Sequence, residues 1–160
     1  MMAQATQLAK RFREVHLDGD WVAATNLRAA LSGVTWQQAT KKIGSLNTIA
    51  ALAFHINYYI AGILKVFEGG SLDIHDRYSF DAPPIGSQAN WEQLLNKLWT
   101  DAEAFAAHVQ QMSEEQLESA FTNEKYGSYQ RNIDAMIEHV YYHLGQIVLL
   151  RKLVQETPVH

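Results

Sequence analysis

From position 91 to position 112, apolar side chains fall at Trp91, Leu94, Leu95, Leu98, Ala102, Phe105, Val109 and Met112, an unbroken stripe with the 3.6-residue period of an α-helix. A helix striped along one side has to bury that side against other elements. Three more segments offer such a face. Ala5, Leu8, Phe12 and Val15 mark a first helix that stops at Asp18-Gly19-Asp20. Residues 46 to about 68 contain no proline and one interior glycine, Gly62, with Ser45 placed as N-cap and Gly69-Gly70 as terminator. Ser128 is placed to cap a last helix running to about Gln155, ahead of Pro158.

Between these lie shorter pieces. Residues 21–44 read as two short helices separated by Ser32-Gly33, the second capped by Thr35, and Ser113 with Gln116 can form a capping box for one more turn. Residues 121–127 read as irregular. Residues 69–88, with Asp73, Asp76, Asp81, Pro83, Pro84 and Gly86, read as a long non-helical connection. A helix of about 23 residues is about 35 Å long, and 20 extended residues reach about 65 Å. The connection can therefore cross the length of a bundle and let the third helix run parallel to the second. No segment alternates like a strand, and no repeat recurs every 20 to 50 residues. The expected fold is all-α: one domain over residues 1–160, a four-helix bundle with a long crossover between helices 2 and 3 and short accessory helices.

Composition narrows the chemistry. The 160 residues suffice for one domain with a full core. With 13 Lys+Arg against 17 Asp+Glu, the net charge of -4 offers no basic field for nucleic acid. Cysteine is absent, which excludes disulfides, thiolate ligands and a Cys nucleophile, so any thiol must come from outside the chain. Gln4, Thr6, Gln7 and Lys10 interrupt any signal-peptide core, and the cytoplasm is expected. The longest apolar stretch, 49–64, is broken by His55 and Asn57 and is shorter than the roughly 20 residues of a bilayer span, so no membrane segment is expected. GxGxxG, GxxxxGK[ST] and GxSxG are all missing. His139-Val140-Tyr141-Tyr142-His143 has the histidine spacing of a zincin, but Val140 stands where the catalytic Glu belongs. No Glu is followed three residues later by His, which argues against a carboxylate-bridged di-iron centre.

What remains is the histidines. His139 and His143, four apart on one helix, project from the same face and can share a metal. At about 100° per residue they border the apolar arc of Ile133, Met136, Ile137, Leu144 and Ile147, on the same side as Asn132 and Gln146. His55 occupies the matching border on helix 2, about 100° from Ile56. Gly62, seven residues on, either leaves space beside that ring or permits close helix packing. Ligands of one metal must meet at one height, and His55, His139 and His143 lie near the middles of their helices. His108 is near a helix end, His75 sits in the crossover between Asp73 and Asp76, and His16 and His160 are near a helix end and the chain end. The set to test is His55, His139 and His143, as ligands or as hydrogen-bonded border residues. Tyr59 and Tyr142 either line a pocket there or pack; Asn132 and Gln146 either hydrogen-bond a bound ligand or make solvated or interhelical contacts. Metal occupancy of such a site should fall as pH drops through the histidine range near about 6.5.

Two stretches carry a resemblance: Asn47-Thr48-Ile49-Ala50-Ala51-Leu52-Ala53-Phe54-His55, and His139-Val140-Tyr141-Tyr142-His143-Leu144-Gly145-Gln146-Ile147. Together with the amphipathic first helix and the Pro-containing crossover, they resemble the DinB-like (YfiT-like) superfamily of metalloproteins. The resemblance implies an up-down-down-up four-helix bundle, often dimeric, in which His55, His139 and His143 hold a divalent metal; all-nitrogen ligation suits Zn, Ni, Cu and Fe alike. Some relatives transfer or isomerise with bacillithiol, mycothiol or glutathione, which implies a low-molecular-weight thiol and a small electrophile as partners. A non-catalytic metal-binding dimer with a stress-related or structural role is the alternative, and a metal-free helical interaction module a third.

Overall fold

The computed structural model describes residues 3–156; Pro158 and His160 lie outside them. Among the described residues seven α-helices follow in order: α1 Gln4–Arg13, prolonged by a π-helical turn Glu14–Asp18; α2 Leu27–Leu31; α3 Trp36–Thr40; α4 Ile49–Phe67; α5 Gln88–Gln110; α6 Glu114–Glu118; and α7 Tyr129–Glu156. Among the described residues the β-structure is one isolated bridge, Ala120 to Ser128, so the chain is all-helical as the periodicity requires.

The helix starts follow local chemistry. Thr35 and Gln38 close a reciprocal capping box on α3, Ser113 accepts the Gln116 N–H at 3.1 Å, and Ser128 accepts the Arg131 N–H at 3.1 Å. Two starts differ from expectation. α4 is capped by Thr48, whose hydroxyl accepts the Ala51 N–H at 3.1 Å, and not by Ser45. Ser45 is exposed in a turn where Gly44 takes φ +52° and the Leu46 N–H reaches the Ile43 carbonyl at 3.0 Å. Helical geometry therefore waits for Ile49, the first buried residue of the stripe. α5 begins at Gln88, because Ser87 takes the Asn90 N–H at 3.2 Å.

α4 packs on α5 and α7, and α1 packs on α5 and α7. Asn57 bonds Asp101 while Glu68 faces His108, so contacts advance together along α4 and α5. His55 meets His139 while Phe67 lies on Tyr129, so contacts run in opposite senses along α4 and α7. Phe12 stacks on Phe105 at 4.3 Å in the core, and the fully buried Trp91 satisfies its indole N–H on the Val34 carbonyl at 2.8 Å. α4 is long and apolar enough to cross a membrane, with mean hydropathy 1.5, contrary to the expectation from its two polar residues; most of it is buried in the chain's own core.

The crossover from α4 to α5 contains a single 3-10 turn, Asp76–Tyr78, within a stretch read from sequence as wholly non-helical. Gly62 lets it come close: a Cβ there would sit 2.4 Å from Ile74 Cγ1. Close packing of the connection, rather than room beside His55, is the use of that glycine. The crossover walls a cleft of about 770 Å³ with Phe54, Tyr58, Pro84 and Leu94.

Candidate metal centre

His55 on α4 and His139 and His143 on α7 converge, with one nitrogen from each lying within 4.8 Å of the other two. His139 Nε2 is 3.1 Å from His55 Nε2 and 3.0 Å from His143 Nε2. The antiparallel pairing of α4 and α7 brings the helix middles to one level, and the i, i+4 spacing puts the two α7 rings on one face, edge to face with centroids 4.5 Å apart. The other nitrogens aim these rings. His55 Nδ1–H donates to the Ser79 carbonyl at 3.2 Å, and His143 Nδ1–H donates to Gln146 Oε1 at 2.6 Å. Phe80 lies flat on His55 at 4.0 Å, and Tyr59 sets its edge against His55 and His139.

A neutral imidazole carries one N–H. Once His55 and His143 have placed theirs on Nδ1, both Nε2 atoms present lone pairs toward His139 Nε2. One proton on that nitrogen cannot satisfy two acceptors in good geometry, so the cluster calls for a cation at its centre. A shared extra proton is disfavoured: burial, then repulsion from His143 and His55, lowers His139 to about 4. His55 is lowered by burial and by His143, against the opposing pull of the Ser79 carbonyl and Asp76. A divalent metal fits this donor set: bonds of about 2.0 to 2.1 Å at tetrahedral angles would separate ligand nitrogens by about 3.3 Å.

A family model for the DinB superfamily matches residues 22–147, well over half of the chain. The chain belongs to the DinB superfamily. No curated protein and no solved structure matches it. The DinB match contains all three clustered histidines and leaves α1 and its π-helical turn outside. Family and geometry together support metal binding.

Other residues of this DinB chain fall where the sequence did and did not place them. Gln146 is at the cluster, bonded to a histidine ring rather than aimed at a ligand position. Tyr59 is also there, its hydroxyl donating to Asp76 Oδ1 at 2.8 Å; burial and that bond raise its pKa, which keeps the phenol protonated. Tyr142 sets its ring edge against His143 at 4.9 Å but is 67% exposed, so it stands at the rim. Asn132 is not brought to the cluster. Its amide donates to the Tyr126 and Ser128 carbonyls at the start of α7, two turns before His139. His108 faces Glu68, and His75 faces Asp73, both away from the three rings.

Ser79, Phe80 and Asp76 were not singled out in the sequence. A backbone carbonyl has no residue signature, but the aromatic pair Tyr78 and Phe80 inside a polar loop was a readable hint that the loop folds back on the bundle.

Proposed function

We propose that this chain holds one divalent metal, Zn, Ni or Fe, on Nε2 of His55, His139 and His143 and acts as a metal-dependent transferase, using an external low-molecular-weight thiol against a small electrophile. The observation that carries it is the convergence of three imidazole nitrogens, two of them aimed by Nδ1 bonds, with Nε2 contacts of 3.0 and 3.1 Å. With three neutral nitrogen ligands, a bound divalent metal keeps coordination positions open and lowers the pKa of a coordinated thiol or water.

The chain's own groups do the rest. The Ser79 carbonyl and Gln146 fix two rings, and Tyr59, tied to Asp76, closes one side. Phe80 and Tyr142, each partly exposed, border the opening with apolar faces on which a small electrophile can rest. Asp76 already accepts the Tyr59 hydroxyl on Oδ1, so the proton of a thiol acidified by a bound metal would pass to solvent water. Absence of cysteine makes that thiol external.

The same reading takes the four long helices as an up-down-down-up bundle, supported by the contact senses along α4 with α5 and with α7. It takes the protein as cytoplasmic and as a homodimer, the homodimer supported by the exposure of Trp21, Tyr142 and Leu149.

The test is conjugation of chlorodinitrobenzene with glutathione, bacillithiol or mycothiol by Zn-, Ni- or Fe-loaded protein. Turnover above free metal with at least one thiol, abolished by His143→Ala, is expected. No turnover with any thiol while metal stays bound would leave the non-catalytic metal-binding dimer, which is favoured by the fact that no carboxylate is hydrogen-bonded to any of the three rings among the described residues.

A further inference from the structure

Two of the three clustered rings have an acceptor for Nδ1, but His139 Nδ1 is buried without a partner. When Nε2 of a neutral imidazole is committed to a metal, its only proton is on Nδ1, and a buried donor left unpaired loses its hydration without compensation. Ligating histidines almost always give that proton to an acceptor, which fixes tautomer and ring orientation.

The complementary orphan is on another helix. His16 is completely buried; its Nδ1–H donates to the Phe12 carbonyl at 3.0 Å, and its Nε2, left as a lone pair, is buried without a partner. Burial lowers its pKa to about 3, which keeps the ring neutral. Its level in the molecule follows from two bonds between α1 and α7. Gln4 bonds Gln130 at a separation of 126 positions, and Arg11 bonds Asp134 at a separation of 123. Both members advance together, and the same offsets carry position 16 to positions 139 through 142. The π-helical turn packs against α7, and a charge on His139 acts on His16.

The π-helical turn is what brings the ring in. The turn carries Val15, His16 and Leu17, all three buried, so the ring enters the interior between two apolar neighbours. Such turns concentrate at functional sites. Stacking on Phe12 at 3.8 Å then holds the ring flat.

We propose that His16 is a positioning residue of the metal centre: its Nε2 accepts, through one buried water, the hydrogen bond of His139 Nδ1–H and so keeps Nε2 of that ring turned to the metal. The inference rests on the metal-binding reading above. It belongs to this chain's first helix, which lies outside the span matched by the family. A water there joins one donor to one acceptor, the kind of bridge that buried polar groups use when they cannot meet directly.

The test uses the full chain in three forms: wild type, His16→Leu, which offers no acceptor, and His16→Gln, which restores one. Zinc affinity is measured by chelator competition, tautomers by long-range proton–nitrogen NMR on zinc-loaded protein, and folding by circular dichroism. The expected result is a slowly exchanging proton on His139 Nδ1 in wild type, a loss of roughly 10- to 100-fold in zinc affinity for His16→Leu with helical content unchanged, and recovery to within a few-fold in His16→Gln. Equal zinc affinity of His16→Leu and wild type, or zinc on His139 Nδ1, would overturn the role of His16 while leaving the metal site standing. Failure of wild type to take up zinc, nickel or iron would overturn both. If His16→Leu does not fold, the NMR tautomer in wild type and the affinity of His16→Gln decide.

Discussion

A histidine whose proton affinity has been lowered by burial yields its nitrogen to a metal with little competition from protons. An unperturbed imidazole would lose the metal as pH falls through about 6.5, yet His139 is lowered to about 4 and His55 is lowered as well. The midpoint of metal release should therefore lie below pH 6.5; equilibrium dialysis of zinc-loaded protein across pH 7 to 4 would contradict this by showing release centred at or above 6.5. His16 makes a separate contribution to folding. Its folded pKa, about 3, is below the unfolded value, so between pH 6.5 and 3 the unfolded chain binds a proton that the native chain does not. Stability of the metal-free protein should fall by about 2 kcal/mol from pH 7 to pH 5 through this residue alone. Urea unfolding at both pH values should show a shallower dependence in His16→Gln, and an equal dependence would contradict the burial argument.

Two helical glycines should respond to alanine with opposite signs. At Gly145 on α7 an added Cβ meets open space, and Gly145→Ala should stabilise by roughly 0.5 to 1 kcal/mol. At Gly62 on α4 the Cβ would collide with Ile74 of the crossover, and Gly62→Ala should cost about 1 to 3 kcal/mol. Thermal melts of the two variants decide, and the same sign in both would contradict the packing described. The four long helices were legible because each carries a sustained apolar stripe, and His55, His139 and His143 because their border positions and heights match. Ser45 misled because a cap is chosen by where helical geometry starts, and Thr48 is the residue directly before the first buried position. By sequence His16 lies near a helix end, away from the middle of the bundle, and the π-helical turn that buries it there has no signature in the apolar stripe. The fold-back of Ser79 and Phe80 onto His55 is a tertiary contact that no local periodicity encodes.

In the whole molecule, the exposed Tyr142 and Leu149 lie seven residues apart on one face of α7, beside the rim of the metal centre. If that face joins two chains, Leu149→Asp should convert a dimer into an 18.1 kDa monomer in sedimentation; a wild type that is wholly monomeric at high micromolar concentration would contradict the homodimer. The choice of thiol depends on a simpler claim, that three rings from two helices hold one ion. Elemental analysis after purification without an affinity-metal column tests it on wild type, His139→Ala and His108→Ala. About one divalent metal per chain is expected in wild type and in His108→Ala and almost none in His139→Ala; full metal content in His139→Ala, or none in wild type after incubation with zinc, nickel or iron, would contradict a three-histidine site.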